Sequence, residues 1–423
     1  MLYQEVYRLW QIHQKTNRSI RSLVAQSSYK NKPQLLALLS RVIDHRSLLQ
    51  TIVDRTQLLE RETFLANDLA LILVYDQIFG THVRGKFKGM IKRNQSFIDS
   101  CLEELLNEQK LSSIPELLQS SSPSKQTSSI EIPRYVRINL LKTKAKQLRL
   151  NLKELSFKKM KNVANFRKGV KRLSIMKYFV DPDVEHVLVF PTKTKFFEYD
   201  IYLKRHILLM DKASSLPCIA LSPPAGSTVL DACAAPGNKT ICLANYLKNK
   251  GNLYAIEKNR RRFTDLNTNL RTAGVKCAHT LNDDFLTVSL PFDEIDYILL
   301  DPSCSGSGIR NRNDDPEVID EERLERLATL QIRMVTYALS NFPKVKRITY
   351  STCSIHRQEN EQVVETILDQ FHDTFQLVDF LPNWPSRGQT ERTRACLRAS
   401  PDDTLTNGFF VACFERIIKL DSQ

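Results

Sequence analysis

The sequence predicts an α/β fold: a Rossmann-like, mostly parallel sheet covered by helices on both faces, preceded by a small α+β unit and a helical amino-terminal domain. Three observations predict it. From about residue 196 onward, strand-like and helix-like segments alternate, the pattern of parallel strands joined by crossover helices. Residues 131–195 hold two strand-like runs around a dense basic cluster. Residues 1–119 are poor in Gly and Pro, and their apolar residues recur at helical spacing.

In the first domain, 1–119, Leu35, Leu36, Leu38, Leu39, Val42 and Ile43 share a helix face, as do Leu69, Leu71 to Val74 and Tyr75. No catalytic pattern stands there. Lys86 to Arg93 is basic and partly apolar, and reads equally as a nucleic-acid contact or a solvated helix face. Residues 120–129, rich in Ser, form a linker by composition. The second domain, 130–195, has strands at 135–139 and 187–190. Between them lie Lys158, Lys159 and Lys161, then Arg167, Lys168, Lys171 and Arg172, the densest positive charge in the chain. Phosphate contact is one reading; a solubilising or nuclear-targeting surface is the other. In the third domain, 196–423, strands are expected at 228–230, 253–256, 297–300, 347–350 and 408–414, and helices at 240–248, 261–271, 321–339 and 359–371.

At 423 residues the chain is long enough for two or three domains. With 42% hydrophobic and 26% charged residues it has an ordinary globular composition. No run of 18 apolar residues predicts a membrane helix, and the first residues lack the pattern of a signal peptide. Nine cysteines, an odd number without close pairing, do not form a disulfide framework. A reducing compartment is expected, where thiols stay free. Lys and Arg number 61 against 47 Asp and Glu, a net charge of +14. That excess fits either a nucleic-acid partner or a generally basic protein.

Three strand-end loops of the third domain carry chemistry-bearing residues. In open α/β sheets ligands bind at the carboxyl ends of the strands, so these loops are expected to meet. The first is Asp231-Ala232-Cys233-Ala234-Ala235-Pro236-Gly237-Asn238-Lys239-Thr240. Its small residues let a ligand approach the backbone, and the following helix offers free N–H groups. It is neither a dinucleotide fingerprint nor a phosphate loop. With one glycine it suits a cofactor with a carboxylate and a nucleoside, such as S-adenosylmethionine. Glu257 stands about 20 positions on, where an acidic residue binds ribose hydroxyls. Arg262 lies on the next helix, and Asp284, ending a weaker strand, is placed to accept an adenine amino group.

The second loop is Asp301-Pro302-Ser303-Cys304-Ser305-Gly306-Ser307-Gly308, and the third is Tyr350-Ser351-Thr352-Cys353-Ser354. Buried, inert cysteine describes Cys218, Cys242, Cys277 and Cys413 well. It suits Cys304 and Cys353 less, because both sit in polar loops where a nearby cationic cofactor would favour the thiolate. Two thiols beside such a cofactor fit methylation of carbon 5 of a pyrimidine. A thiolate added at carbon 6 makes carbon 5 nucleophilic, and a second thiol assists the later elimination. Asp301 near ring nitrogen 3 would stabilise the charged adduct, and the base must be flipped out of its stack. No metal is called for.

At these residues the chain resembles the Nop/Sun (Fmu-like) RNA cytosine-5 methyltransferases. The matching stretches are Asp211-Lys212-Ala213-Ser214-Ser215, Asp231 to Thr240, Asp301 to Gly308, Tyr350 to Ser354 and Asn407 to Ala412, with Pro133 to Asn139 at the entry to an RNA-facing subdomain. The branch it resembles most acts on large-subunit rRNA. The resemblance implies Cys353 as nucleophile, Cys304 in product release and Asp301 beside the base. It implies S-adenosylmethionine held by residues 233–239, Glu257, Arg262, Asp284 and Asp301. It further implies RNA held by Arg137 and the basic cluster, large-subunit rRNA or its pre-ribosomal particle as partner, and a place in the nucleus, in the nucleolus. Asn238 stands where Gly is commoner, Glu257 where Asp is, and Pro302-Ser303 where Ala-Pro is, which leaves individual backbone contacts open. A DNA cytosine-5 enzyme would carry its nucleophile in a Pro-Cys loop after the fourth strand, followed by a Glu-Asn-Val element, whereas the Thr-Cys-Ser loop and the basic unit here favour RNA; the Asp/Asn-Pro-Pro-Tyr of an amino-group methyltransferase is absent. A tRNA target and a catalytically silent RNA-binding assembly factor stay open as alternatives.

Overall fold

The computed structural model describes residues 2–16, 20–120, 130–161, 163, 165–291, 293–309 and 321–418. The chain divides into an amino-terminal unit, within residues 1–129, and a larger unit from residue 130 onward. Of the Ser-rich stretch expected as a linker, residues 121–129 lie outside the described residues.

The amino-terminal unit is helical, with its main helices at Leu2–Thr16, Lys32–Asp44, Arg46–Arg55, Asn67–Phe79 and Lys88–Glu108. Leu35, Leu38, Leu39 and Val42 face the core, as their spacing predicts. The helix Asn67–Phe79 differs from its one-sided reading. Every residue from Ala70 to Asp76 is buried, because this helix is surrounded by the others and needs an apolar surface all round. The buried Asp76 carboxylate is satisfied by Tyr3 Oη at 2.6 Å. Burial and this bond push the Tyr3 phenol up to about 12.

The larger unit opens with a five-stranded sheet. Its strands are β1 (Arg134–Ile138), β2 (Lys158–Lys159), β3 (Lys177–Val180), β4 (Val187–Phe190) and β5 (Ile207–Leu209), in the order β2-β3-β4-β1-β5. β5 lies beyond residue 195, so this sheet runs past the boundary expected there. Both faces are covered. Val136 and Ile138 pack on one side with Leu148 and Leu152 of the helix Ala145–Glu154. Tyr135 packs on the other, with residues of the second sheet such as Leu397 and Val411. Tyr135 Oη also donates to Leu405 O at 2.8 Å.

The second sheet comprises β6 (Thr228–Asp231), β7 (Asn252–Ile256), β8 (Ala278–Leu281), β9 (Tyr297–Leu300), β10 (Arg347–Thr352), β11 (Phe375–Leu377), β12 (Leu397–Ala399) and β13 (Phe409–Arg416). Its order is β11-β13-β10-β9-β6-β7-β8, with β12 paired to β13. β10, β9, β6, β7 and β8 run parallel, while β13 runs antiparallel to β10 and β11. The chain winds outward from β6 through β7 to β8, then returns to β9 on the other side of β6. That reversal is a topological switch point, where α/β sheets bind ligands. The loops after β6, β9 and β10 are the three picked out from the sequence, and they sit side by side there.

Candidate active site

The loop after β6 is braced from below. Ala234 N–H donates to Ile256 O at 2.8 Å, Arg262 Nη2 to Ala235 O at 2.6 Å and Asn269 Nδ2 to Pro236 O at 2.8 Å. Gly237 adopts φ +107° immediately before the helix Asn238–Leu247, a left-handed conformation that an L side chain rarely takes. Glu257, at the end of β7, is 5% exposed. Its Oε1 accepts from Asn259 N–H at 2.8 Å and its Oε2 lies 3.4 Å from Arg262 Nη1. Asn282 Nδ2 donates to Glu257 O at 2.7 Å, tying the ends of β7 and β8. Asp284 is paired with Lys258 Nζ at 2.8 Å, which holds its carboxyl below the ordinary range. The residues expected to face a cofactor, 233–239, Glu257, Arg262 and Asp284, thus line one edge of the sheet. Arg262 braces the first loop against Glu257.

Asp301 lies at the centre. Its Oδ2 is 2.6 Å from Lys239 Nζ, and its Oδ1 accepts from Ser351 Oγ at 2.6 Å. Burial works against the Lys239 charge, but Asp301 holds its pKa above the ordinary value. The ammonium also lies 5.3 Å from the centre of the Phe409 ring. Register explains the Ser351 contact, since Leu300 pairs with Tyr350 and the next residues of both strands stand together.

The two cysteines meet. Cys304 Sγ and Cys353 Sγ are 3.1 Å apart, and both are free thiols, half-buried. The contact with Cys353, and then burial, pushes the Cys304 thiol well up. The Thr-Cys-Ser turn is fixed by Asn360, which accepts from Thr352 Oγ1 at 2.5 Å and donates to Ser354 O at 3.0 Å. Gly308 N–H donates to Cys353 O at 2.9 Å, and Gly408 N–H to Gly308 O at 2.8 Å. A Cβ on Gly308 would stand 2.3 Å from Gly408 O, so two glycines pass backbone to backbone behind the thiols. Ser351, Asn360 and this glycine contact were missed in the sequence. Gly308 and Gly408, each inside a quoted stretch, were the available signal.

Lys158, Lys159, Lys161, Arg167, Lys168, Lys171 and Arg172 are all exposed. They lie on and after the edge strand β2 and on the helix Phe166–Lys171. Among the described residues none of them forms an ion pair with an acidic side chain. Arg137 is a correction to the expected RNA set, being only 4% exposed. Side chains alternate along a strand, so Arg137 shares the face of Tyr135 and is covered by the second sheet's helices. It faces Cys242, Cys218 and Tyr246, which leaves it no access to a polynucleotide.

Comparisons with known proteins follow this geometry. A family model described as 16S rRNA methyltransferase RsmB/F matches residues 218–415. Two models of NOL1/NOP2/Sun domain family member 5 match as well, its ferredoxin-like domain over 132–210 and its N-terminal domain over 33–118. A 28S rRNA (cytosine-C(5))-methyltransferase of Mus musculus is 39% identical over 409 residues, covering 94% of this chain and 87% of its own. The 26S rRNA (cytosine-C(5))-methyltransferase nsun-5 of Caenorhabditis elegans is 34% identical over 439 residues, covering 98% of each. Among solved structures, a methyltransferase homologue protein from Pyrococcus horikoshii superposes with TM-score 0.57 at 22% identity, covering 86% of this chain and 99% of that one. NSun6 from Pyrococcus horikoshii with SFG gives TM-score 0.54 at 19% identity, covering 68% and 92%. Both structural likenesses speak to the fold.

Proposed function

The chain belongs to the NOL1/NOP2/Sun domain family of RNA cytosine-C5 methyltransferases, and from that premise we propose that it methylates one cytosine of large-subunit rRNA, with Cys353 as nucleophile. The observation that supports two-thiol chemistry is the 3.1 Å contact between the cysteines next to the Asp301–Lys239 pair; the division of roles follows the family resemblance of the Thr-Cys-Ser loop. In this reading Cys304 donates a hydrogen bond to the Cys353 thiolate across that contact. The Cys353 thiolate adds to carbon 6 of a flipped cytosine, and the electrons of the 5,6 double bond move to carbon 5. Asp301, fixed by Lys239 and Ser351, stands at the ring-nitrogen edge and steadies the charge that develops there. After methyl transfer solvent water takes the carbon 5 proton, the C–H electron pair re-forms the 5,6 double bond, and the carbon 6–sulfur bond breaks with its electrons returning to Cys353 as thiolate. Cys304 assists that departure and the release of the RNA.

The residues fit S-adenosylmethionine. Four neighbouring strand ends present Cys233 to Lys239, Glu257, Asp284 and Asp301 on one edge, with the loop backbone open to a carboxylate and the acids suited to ribose hydroxyls and an adenine amino group. When bound, this cofactor supplies an electrophilic methyl group. Lys158, Lys159, Lys161, Arg167, Lys168, Lys171 and Arg172 hold the RNA backbone in this reading. The site of action is the nucleolus, on rRNA or a pre-ribosomal particle.

The test is bisulfite sequencing of total RNA from cells lacking the protein, rescued with wild type or Cys353→Ala. One large-subunit cytosine should lose its mark and regain it with wild type only. A mark lost from tRNA instead, or from no RNA at all, would overturn the proposed substrate.

A further inference from the structure

The mechanism leaves unused a buried carboxylate behind the two thiols. Glu359 is fully buried and forms no ion pair among the described residues. A buried carboxylate without a counter-charge is costly, so its hydrogen bonds must serve something. Its Oε1 accepts from Ser305 N–H at 2.9 Å and from Gln331 Nε2 at 3.0 Å. Its Oε2 is buried with no partner. Gln331, fully buried on the helix Glu321–Asn341, also donates Nε2–H to Ser303 O at 3.1 Å. The peptides on either side of Cys304 are therefore both gripped, one by each side chain. The grip extends to the other cysteine's strand. Tyr350, three residues before Cys353 and fully buried, shares its one O–H between Gln331 Oε1 at 2.9 Å and Glu359 O at 2.5 Å.

We propose that Glu359 and Gln331 are positioning residues that clamp the backbone of Cys304 and set the Cys304 thiol against Cys353 for the release half of the reaction. The proposal rests on the two cysteines having the roles assigned above. Its geometry is graded: the clamp grips both peptides flanking Cys304 directly, whereas it reaches the strand before Cys353 only through the Tyr350 hydroxyl, and the turn of Cys353 has its own anchors in Asn360 and Gly308. Loosening the clamp therefore affects release more than attack.

The experiment compares wild type with Glu359→Leu, Gln331→Leu and Cys304→Ala in the full chain, using rRNA substrate and S-adenosylmethionine. Covalent protein–RNA adduct is quantified on denaturing gels, and Cys304 and Cys353 alkylation by iodoacetamide is followed by peptide mass spectrometry. Expected for both clamp variants is adduct formation at the wild-type rate, turnover about tenfold slower, and adduct accumulating towards the level of Cys304→Ala. Cys304 alkylation should accelerate several-fold relative to Cys353, with kcat/KM for RNA unchanged because the slowed step follows adduct formation. Wild-type turnover and alkylation in both variants would overturn the clamp, as would folded variants that fail to form adduct at all. If Cys304→Ala traps nothing while the alkylation shift is present, the roles of the cysteines are wrong and the clamp on Cys304 stands.

Discussion

Asp231 ends β6 with a carboxyl that burial pushes up to about 7. Thr240 Oγ1 donates to one oxygen at 2.7 Å, and the other is buried with no hydrogen-bond partner among the described residues. An unfolded Asp ionises near 3.9. Between pH 4 and 7 the unfolded chain has therefore lost a proton that the folded chain keeps, so stability falls as pH rises through that window. The loss approaches about 4 kcal/mol for an unscreened buried group. In Asp231→Asn it should vanish, and the urea midpoints of variant and wild type should separate from pH 4 to pH 8, with wild type the less stable at pH 8. Parallel midpoints would show that the carboxyl ionises freely in the folded state. At this scale the two thiols, Asp301 and the first loop were legible, because polar strand-end loops are an unusual place for cysteine. Glu359, Gln331 and Arg137 were not. Their sequence neighbours do not reveal that a charged or amide side chain is sealed inside, and Arg137 reads as a surface cation until both faces of its sheet are known to be covered.

Among elements, the central strands were legible because they are runs of apolar residues between turn signals. The short strands β5, β11 and β12 were not, since three residues carry no periodicity. They matter even so: β12 pairs with β13, whose amino-terminal end brings Gly408 to Gly308. Both glycines are required by the closeness of the two backbones. Gly308→Ala would put a methyl group 2.3 Å from a carbonyl oxygen of the other strand, and no side-chain rotation relieves that clash. The expected result is a loss of about 1–3 kcal/mol in stability. The effect on turnover is larger, about a hundredfold, because Gly308 N–H anchors Cys353 O. Thermal unfolding and steady-state turnover would read the two effects separately; a variant with full activity would show that the loop relaxes without moving Cys353.

On the whole molecule, the +14 charge sits partly in ion pairs and partly free. Arg55, Arg93 and Arg347 are paired with Glu108, Glu62 and Glu415, and such cations have little left for a polyanion. The lysines around β2 are exposed and unpaired by any acid among the described residues, on and after the edge strand of their sheet. This distinction was beyond the sequence, which counts charges without pairing them. Each lysine that meets a phosphate releases counterions, so affinity for RNA falls with salt in proportion to the contacts made. In Lys158→Glu/Lys159→Glu/Lys161→Glu, the slope of log affinity against log salt should drop by about 2–3. Affinity at physiological salt should fall while kcat at saturating RNA is kept, because the thiols lie on the other sheet. An unchanged slope would place the RNA on another face, and a lost kcat would mean that these lysines orient the base as well as hold the backbone.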